Sequence, residues 1–172
     1  MGGQDETEVE EVEKMAQHEE GEGTVETDDD PRSGARVVRG HDACFAEAIA
    51  RLQANGLPDG LLPLEDIEEV GYVEATGYFW VQQKRPKKHY FPKTGKTCHY
   101  NALITGRFEN GCLLDLTGVS SKEALLLWVT IAHIFTNPAK HPGEIYFKTT
   151  TGLGRWLPAD AFALPVQSSP SC

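Results

Sequence analysis

The chain has 172 residues, 40% of them hydrophobic, and a formal net charge of −10 at pH 7. That length suits one domain with a tail, and the four cysteines lack the Cys-x-x-Cys spacing of a zinc or redox motif. The longest apolar run, Ala124 to Phe135, is interrupted by Thr130 and His133 and falls short of the roughly 20 residues that a membrane-spanning helix requires.

Charge is unevenly distributed. Residues 1 to 30 hold 13 of the 26 acidic residues and one of the 16 Lys and Arg residues, Lys14, so this segment carries −12 and the remainder +2. With few apolar residues and no aromatic, it cannot offset the entropy of ordering, and a disordered acidic tail is expected. The N-terminus lacks the apolar stretch of a secretory signal. Glu6 stands where myristoylation takes Ser or Thr, and Cys172 is misplaced for prenylation. The sequence therefore predicts a cytoplasmic protein whose cysteines are thiols. The expected organisation is a tail and linker over 1–40, a helix and β-barrel domain over 41–165, and a frayed end over 166–172.

In chain order, Asp42 predicts the N-cap of a helix from Ala43 to Ala54, with Phe45, Ile49 and Leu52 on one stripe. Asn55-Gly56 stops it. Leu57 to Pro63 is apolar but rich in proline and glycine, so a packed irregular connector is expected. Ile67–Val73 and Tyr78–Gln83 flank a turn at Glu74 to Gly77. Lys87 to Phe91 predicts a short strand, and Thr97 to Phe108 a long one. Asn110-Gly111 is the best turn signal. A two-residue loop there pairs Glu109 with Cys112 and Phe108 with Leu113, and leaves Cys98 beyond its partner strand. Leu125 to Phe135 is ambiguous, since Ser120 and Glu123 have capping-box spacing. Its β-branched residues favour a buried strand covered on both faces. Glu144–Thr150 and Leu153–Leu157 are the last predicted strands.

Several groups of residues bear on chemistry. Lys84, Arg85, Lys87, Lys88, Lys93 and Lys96 form a run free of acidic residues, with Tyr90 and Phe91 inside it. It reads as a solvated hairpin whose lysines discourage edge pairing. Lys84 to Lys88 alternatively reads as a nuclear-import signal, or the run as a contact for a protein or anionic surface. Cys98 and His99 are adjacent on a strand and point to opposite faces, so they cannot act as nucleophile and base together. Cys112 with His133 requires the fold to join them. Asp115 interrupts an apolar stretch and is expected to bond nearby backbone. Trp80, Tyr100, Phe108 and Trp128 are candidates to line a cavity for an apolar ligand, or to fill an ordinary core. No catalytic residue, metal site or cofactor is assigned, and oligomeric state is left open.

Gly56-Leu57-Pro58, Gly60-Leu61-Leu62-Pro63, Ile104-Thr105-Gly106, Gly111, Leu116-Thr117-Gly118-Val119, Leu127-Trp128-Val129 and Ile131, in this order, resemble the plant family of domain of unknown function 538. The resemblance covers Gly56 to Phe162. It implies a β-barrel-like fold preceded by a helix, a plant source, a lipophilic ligand such as a lipid or tetrapyrrole, and a link to stress response. It implies no catalytic residues. The combined expectation is a mainly β protein, a small antiparallel barrel or strongly curved sheet after one helix. The function expected is non-enzymatic binding of a lipophilic small molecule. The alternatives are an interaction module using the tail and basic hairpin, and an ester hydrolase.

Overall fold

Asn110 and Gly111 both adopt positive φ, 50° and 77°, which a tight two-residue turn demands and Asn-Gly meets at low cost. The turn sets Glu109 opposite Cys112 and Phe108 opposite Leu113, the expected register. The structure, a computed structural model, describes residues 30–164. The expected disorder of the acidic segment and fraying of the C-terminus concern 1–29 and 165–172, which lie outside the described residues.

Among the described residues, nine strands form one antiparallel sheet. They are β1 (Arg36–Arg39), β2 (Ile67–Tyr72), β3 (Tyr78–Gln83), β4 (Lys87–Phe91), β5 (Lys96–Glu109), β6 (Cys112–Ala124), β7 (Leu127–Phe135), β8 (Glu144–Thr149) and β9 (Gly154–Pro158). The spatial order is β1-β2-β3-β5-β6-β7-β8-β9, with β4 also paired to β5. The sheet does not close, so the curved-sheet form of the expectation holds rather than a sealed barrel. Helix α1 (His41–Ala54) packs on β1 and β2, and a 3-10 turn, Ala159–Phe162, follows β9.

Curvature has local causes. Within β6, Asp115 and Gly118 take φ of 52° and 86°, and the pairing with both neighbours slips around them. Such bulges bend a strand and increase its twist. The curl carries β4 and β8, three strands apart, to one residue. Phe162 lies 4.8 Å from the Phe91 ring and 4.9 Å from the Phe147 ring. The connector predicted at Leu57 to Pro63 is irregular and packed, with Leu57, Leu61 and Leu62 buried, as is Leu64 just after it. Gly60 is required there, because a Cβ would stand 2.6 Å from the Phe162 carbonyl oxygen.

β5 is the branch point. Leu103 to Arg107 pair with β3, while Lys96 to Tyr100 pair with β4 on the same side. Between them, Asn101 and Ala102 pair with neither β3 nor β4. Gln83, wholly buried, supplies donors: its Nε2 donates to Asn101 O at 2.9 Å and to Tyr100 O at 3.3 Å. Its Oε1 accepts the Glu65 N–H at 3.3 Å. Gln82 Nε2 donates to Ala102 O at 3.2 Å. A buried glutamine is stable here because both its amide hydrogens and its carbonyl oxygen have backbone partners.

Four expectations need correction. The segment read as linker contains β1, a four-residue edge strand held in register by β2, from Arg36 opposite Tyr72 to Arg39 opposite Glu69. The helix begins at His41 with Gly40 as its cap, and Asp42 lies in the first turn, where its charge suits the helix dipole. β6 runs on to Ala124, so Cys98 pairs with Ser121 rather than lying beyond its partner strand. Only the C-terminal half of β7 is covered on both faces. Neighbours Ile134 and Phe135 belong to separate buried clusters, whereas Leu125 and Leu126 are each 90% exposed.

Candidate functional site

Alternation along β7 sends Leu127, Val129 and Ile131 to one face of the sheet. There they form a wall of an open cleft of about 180 Å³. Phe147 of β8, Leu157 of β9 and Phe162 of the 3-10 turn complete the apolar lining, and Leu153 stands at the rim. Cys98 of β5 and Ser121 of β6, paired across the two strands, lie beneath. The remainder of this face is packed by one continuous core running from Cys44 to Phe162.

One side of the cleft is charged. Lys96 Nζ donates to Glu123 Oε2 at 2.9 Å, and Arg155 Nη2 approaches the same oxygen at 3.5 Å. Two cations thus share one carboxylate. All three side chains border the cleft, so its charged side has one positive charge in excess.

Burial pushes the Cys98 thiol up to about 11, opposed in part by hydrogen bonds with Ser121 and Tyr100. Such a thiol is a poor nucleophile at neutral pH. Cys98 and His99 occupy opposite faces of β5, as expected, and the His99 ring meets Trp128 at 6.1 Å. Cys112, also pushed up by burial, donates to Asn110 O at 3.8 Å. His133 Nδ1 accepts the Asp115 N–H at 3.3 Å. The Asp115 side chain is half exposed and meets Arg107 at 3.3 Å. Among the described residues, no group of three or more His, Cys, Asp or Glu is placed to hold a metal, and no helix is long and apolar enough to cross a membrane.

The four candidate aromatics do not converge on this cleft. Trp80 lies on the opposite face of β3 from Phe79 and Val81; its Nε1 donates to Glu69 at 2.8 Å and Arg32 lies over its ring at 4.4 Å. Tyr100 is buried and donates its hydroxyl to Leu61 O at 3.0 Å, fastening the connector to β5. Phe108 stacks on Phe79 at 4.8 Å. Trp128 turns away from Leu127 and Val129, toward His99 and Lys88. The signal that marks the cleft is the alternation of Leu127, Val129 and Ile131, whose parity excludes Trp128.

The basic run is divided by the fold. Arg85 pairs with Asp66 at 3.7 Å and Lys87 with Glu65 at 3.0 Å, near the start of β2. Lys93 pairs with Asp160 at 3.5 Å and Lys96 with Glu123, at the cleft end. Lys84 and Lys88 are exposed, Lys88 lying over the Trp128 ring at 5.5 Å. The run is therefore not one continuous patch.

The sequence profile of the family described as "Protein of unknown function, DUF538" matches residues 48–163. The chain belongs to this family, and the match takes in the second half of α1, β2 to β9 and the 3-10 turn. No curated protein and no solved structure matches it.

Proposed function

We propose that this member of the family binds a lipophilic small molecule that carries an acidic group, without catalysing a reaction on it. One observation carries the reading. At the edge of the packed core, an apolar cleft of about 180 Å³ stays open beside a carboxylate shared by two cations. Burial of an apolar body with one or two polar groups to orient it is the usual design of a ligand site.

Volume decides what fits. A dry apolar cavity of about 150 Å³ accepts one benzene ring, and typical ligand pockets reach about 300–1,000 Å³. The cleft supports a single ring or a short stretch of acyl chain inside, with the remainder of the molecule at the rim. That favours a lipid-like or aromatic acid over enclosure of a whole tetrapyrrole. The excess cation would sit against the acid.

The test uses two fluorescent probes, anionic 1-anilinonaphthalene-8-sulfonate and neutral N-phenyl-1-naphthylamine. Wild-type protein is expected to bind both, the anion more tightly, at one site. Val129→Phe, which fills the cleft from its wall, is expected to remove binding at a modest overpacking cost of about 1–3 kcal/mol. A folded Val129→Phe protein that binds both probes as before would refute the assignment. Mass spectrometry of small molecules released from natively purified protein would then identify the ligand.

A further inference from the structure

Among the described residues, two hairpins turn in two residues. One turns on Asn110-Gly111, the residues such a turn requires. The other, between β6 and β7, sets Ala124 opposite Leu127 and turns on Leu125 and Leu126. Leu125 holds φ of 24°, a positive value at the first turn position, where hairpins of this size take glycine. Local turn chemistry therefore does not explain these leucines. Core packing does not explain them either, since both are 90% exposed, Leu127 is 57% exposed and Leu153 on the neighbouring β8–β9 turn is 75% exposed.

Three consecutive exposed leucines on a strained turn are a costly feature for a surface meant to face water. Their surroundings point to one occupant. Lys122 lies opposite Trp128 at the base of the tip, and Lys88 covers the Trp128 ring. Arg155 stands on the other side, against Glu123. Tyr90, 57% exposed, shares a β4 face with Lys88. Lys93 lies at the end of the β4–β5 hairpin on this side, beside Asp160. An apolar tip backed by Lys and Arg, with Trp and Tyr among them, matches the chemistry of an anionic bilayer surface: acyl chains, charged headgroups and the interface.

We propose that the β6–β7 tip, supported by Leu153, docks this protein on anionic lipid membranes, with Leu125 and Leu126 entering the acyl region. Leu127 and Leu153 also border the cleft, so the docked tip would open the cleft toward the lipid. The inference stands apart from the ligand reading, because docking requires no occupied cleft.

The experiment is sedimentation of the full chain with vesicles of phosphatidylcholine alone or mixed with phosphatidylserine. The variant is Leu125→Gly combined with Leu126→Asn, which gives the turn favoured residues. Wild type is expected to sediment with the mixed vesicles and little with phosphatidylcholine alone. The double variant should lose roughly tenfold or more in partitioning, while melting at the same or a higher temperature. That divergence separates docking from misfolding. Two outcomes overturn the proposal: the folded double variant binds the mixed vesicles equally; or wild type fails to bind them, and if it is then a dimer that the double variant abolishes, a second copy is the occupant.

Discussion

Leu164 and Asp59 are 105 residues apart and joined by one hydrogen bond, the Leu164 N–H donating to Asp59 Oδ1 at 2.7 Å. Asp59 precedes the glycine that lets the connector approach the 3-10 turn, and Leu164 follows that turn by two residues. The bond holds Phe162 where it forms part of the cleft wall. Asp59→Ala should cost about 1.5–3 kcal/mol, the range for a hydrogen bond to a charged group. It should also weaken probe binding, because the wall loosens. Urea denaturation and probe titration on the same preparation check both. Unchanged affinity would separate the latch from the cleft.

Gly60→Ala is a companion to that test. The new Cβ would press on the Phe162 carbonyl, a backbone atom with little freedom to yield. A loss of about 1–3 kcal/mol is expected from overpacking, visible as a lower thermal midpoint.

Gln83→Leu keeps a similar volume but removes the donors that serve Tyr100 O and Asn101 O and the acceptor for Glu65 N–H. Buried groups left without partners cost about 1–3 kcal/mol each, so a loss of about 3 kcal/mol or more is expected by chemical denaturation. A neutral effect would mean that the fork finds other partners.

The Cys98 thiol links stability to alkaline pH. Its pKa rises from the ordinary 9.0 to about 11 on folding, so the folded state binds the proton more tightly than the unfolded state does. The stability this provides is complete below about 9 and is lost as pH rises toward and through about 11. The buried Tyr100 hydroxyl, raised by the same cause, acts in the same direction at higher pH. Unfolding free energy should fall by on the order of 2 kcal/mol between about pH 8 and about pH 10.5. Cys98→Ala should flatten that slope, and parallel curves would show that Cys98 is not responsible.

Arg155→Ala leaves Glu123 paired with Lys96 and removes the excess positive charge beside the cleft. Affinity for the anionic probe should drop about threefold, the scale of a half-exposed charge pair, with the neutral probe unaffected. Trp128→Ala should leave both affinities unchanged, since the indole faces away from the cleft. Loss of neutral-probe binding in Trp128→Ala would move the site to the other face.

What could be read from the sequence depended on whether a feature was set by neighbours in the chain or by distant strands. The Asn110-Gly111 register was legible because the turn itself fixes which residues face each other. The strand at Lys87 to Phe91 was legible between its prolines. β1 was not, because Arg36-Val37-Val38-Arg39 is short, charged at both ends and ordered by β2 rather than by its own pattern. The Leu125-Leu126 turn was hidden because it carries none of the residues that announce a turn, and the apolar run through it resembled one long buried strand. The cleft was missed for a related reason. Large aromatic rings drew attention, while the branched aliphatic residues that form the wall depend on five strands being curled together.

The fork on β5 also sets how the molecule opens to solvent. β3 and the helix-bearing strands beyond it are built on one half of this strand, and β4 on the other. β6, with the cleft strands behind it, covers the opposite edge. β5 cannot release its amide protons to deuterium until both of its edges have parted. Amides near Ile104 should therefore be the last to exchange, reporting global unfolding. Those at the Leu125-Leu126 tip should exchange within moments, on a protein still folded.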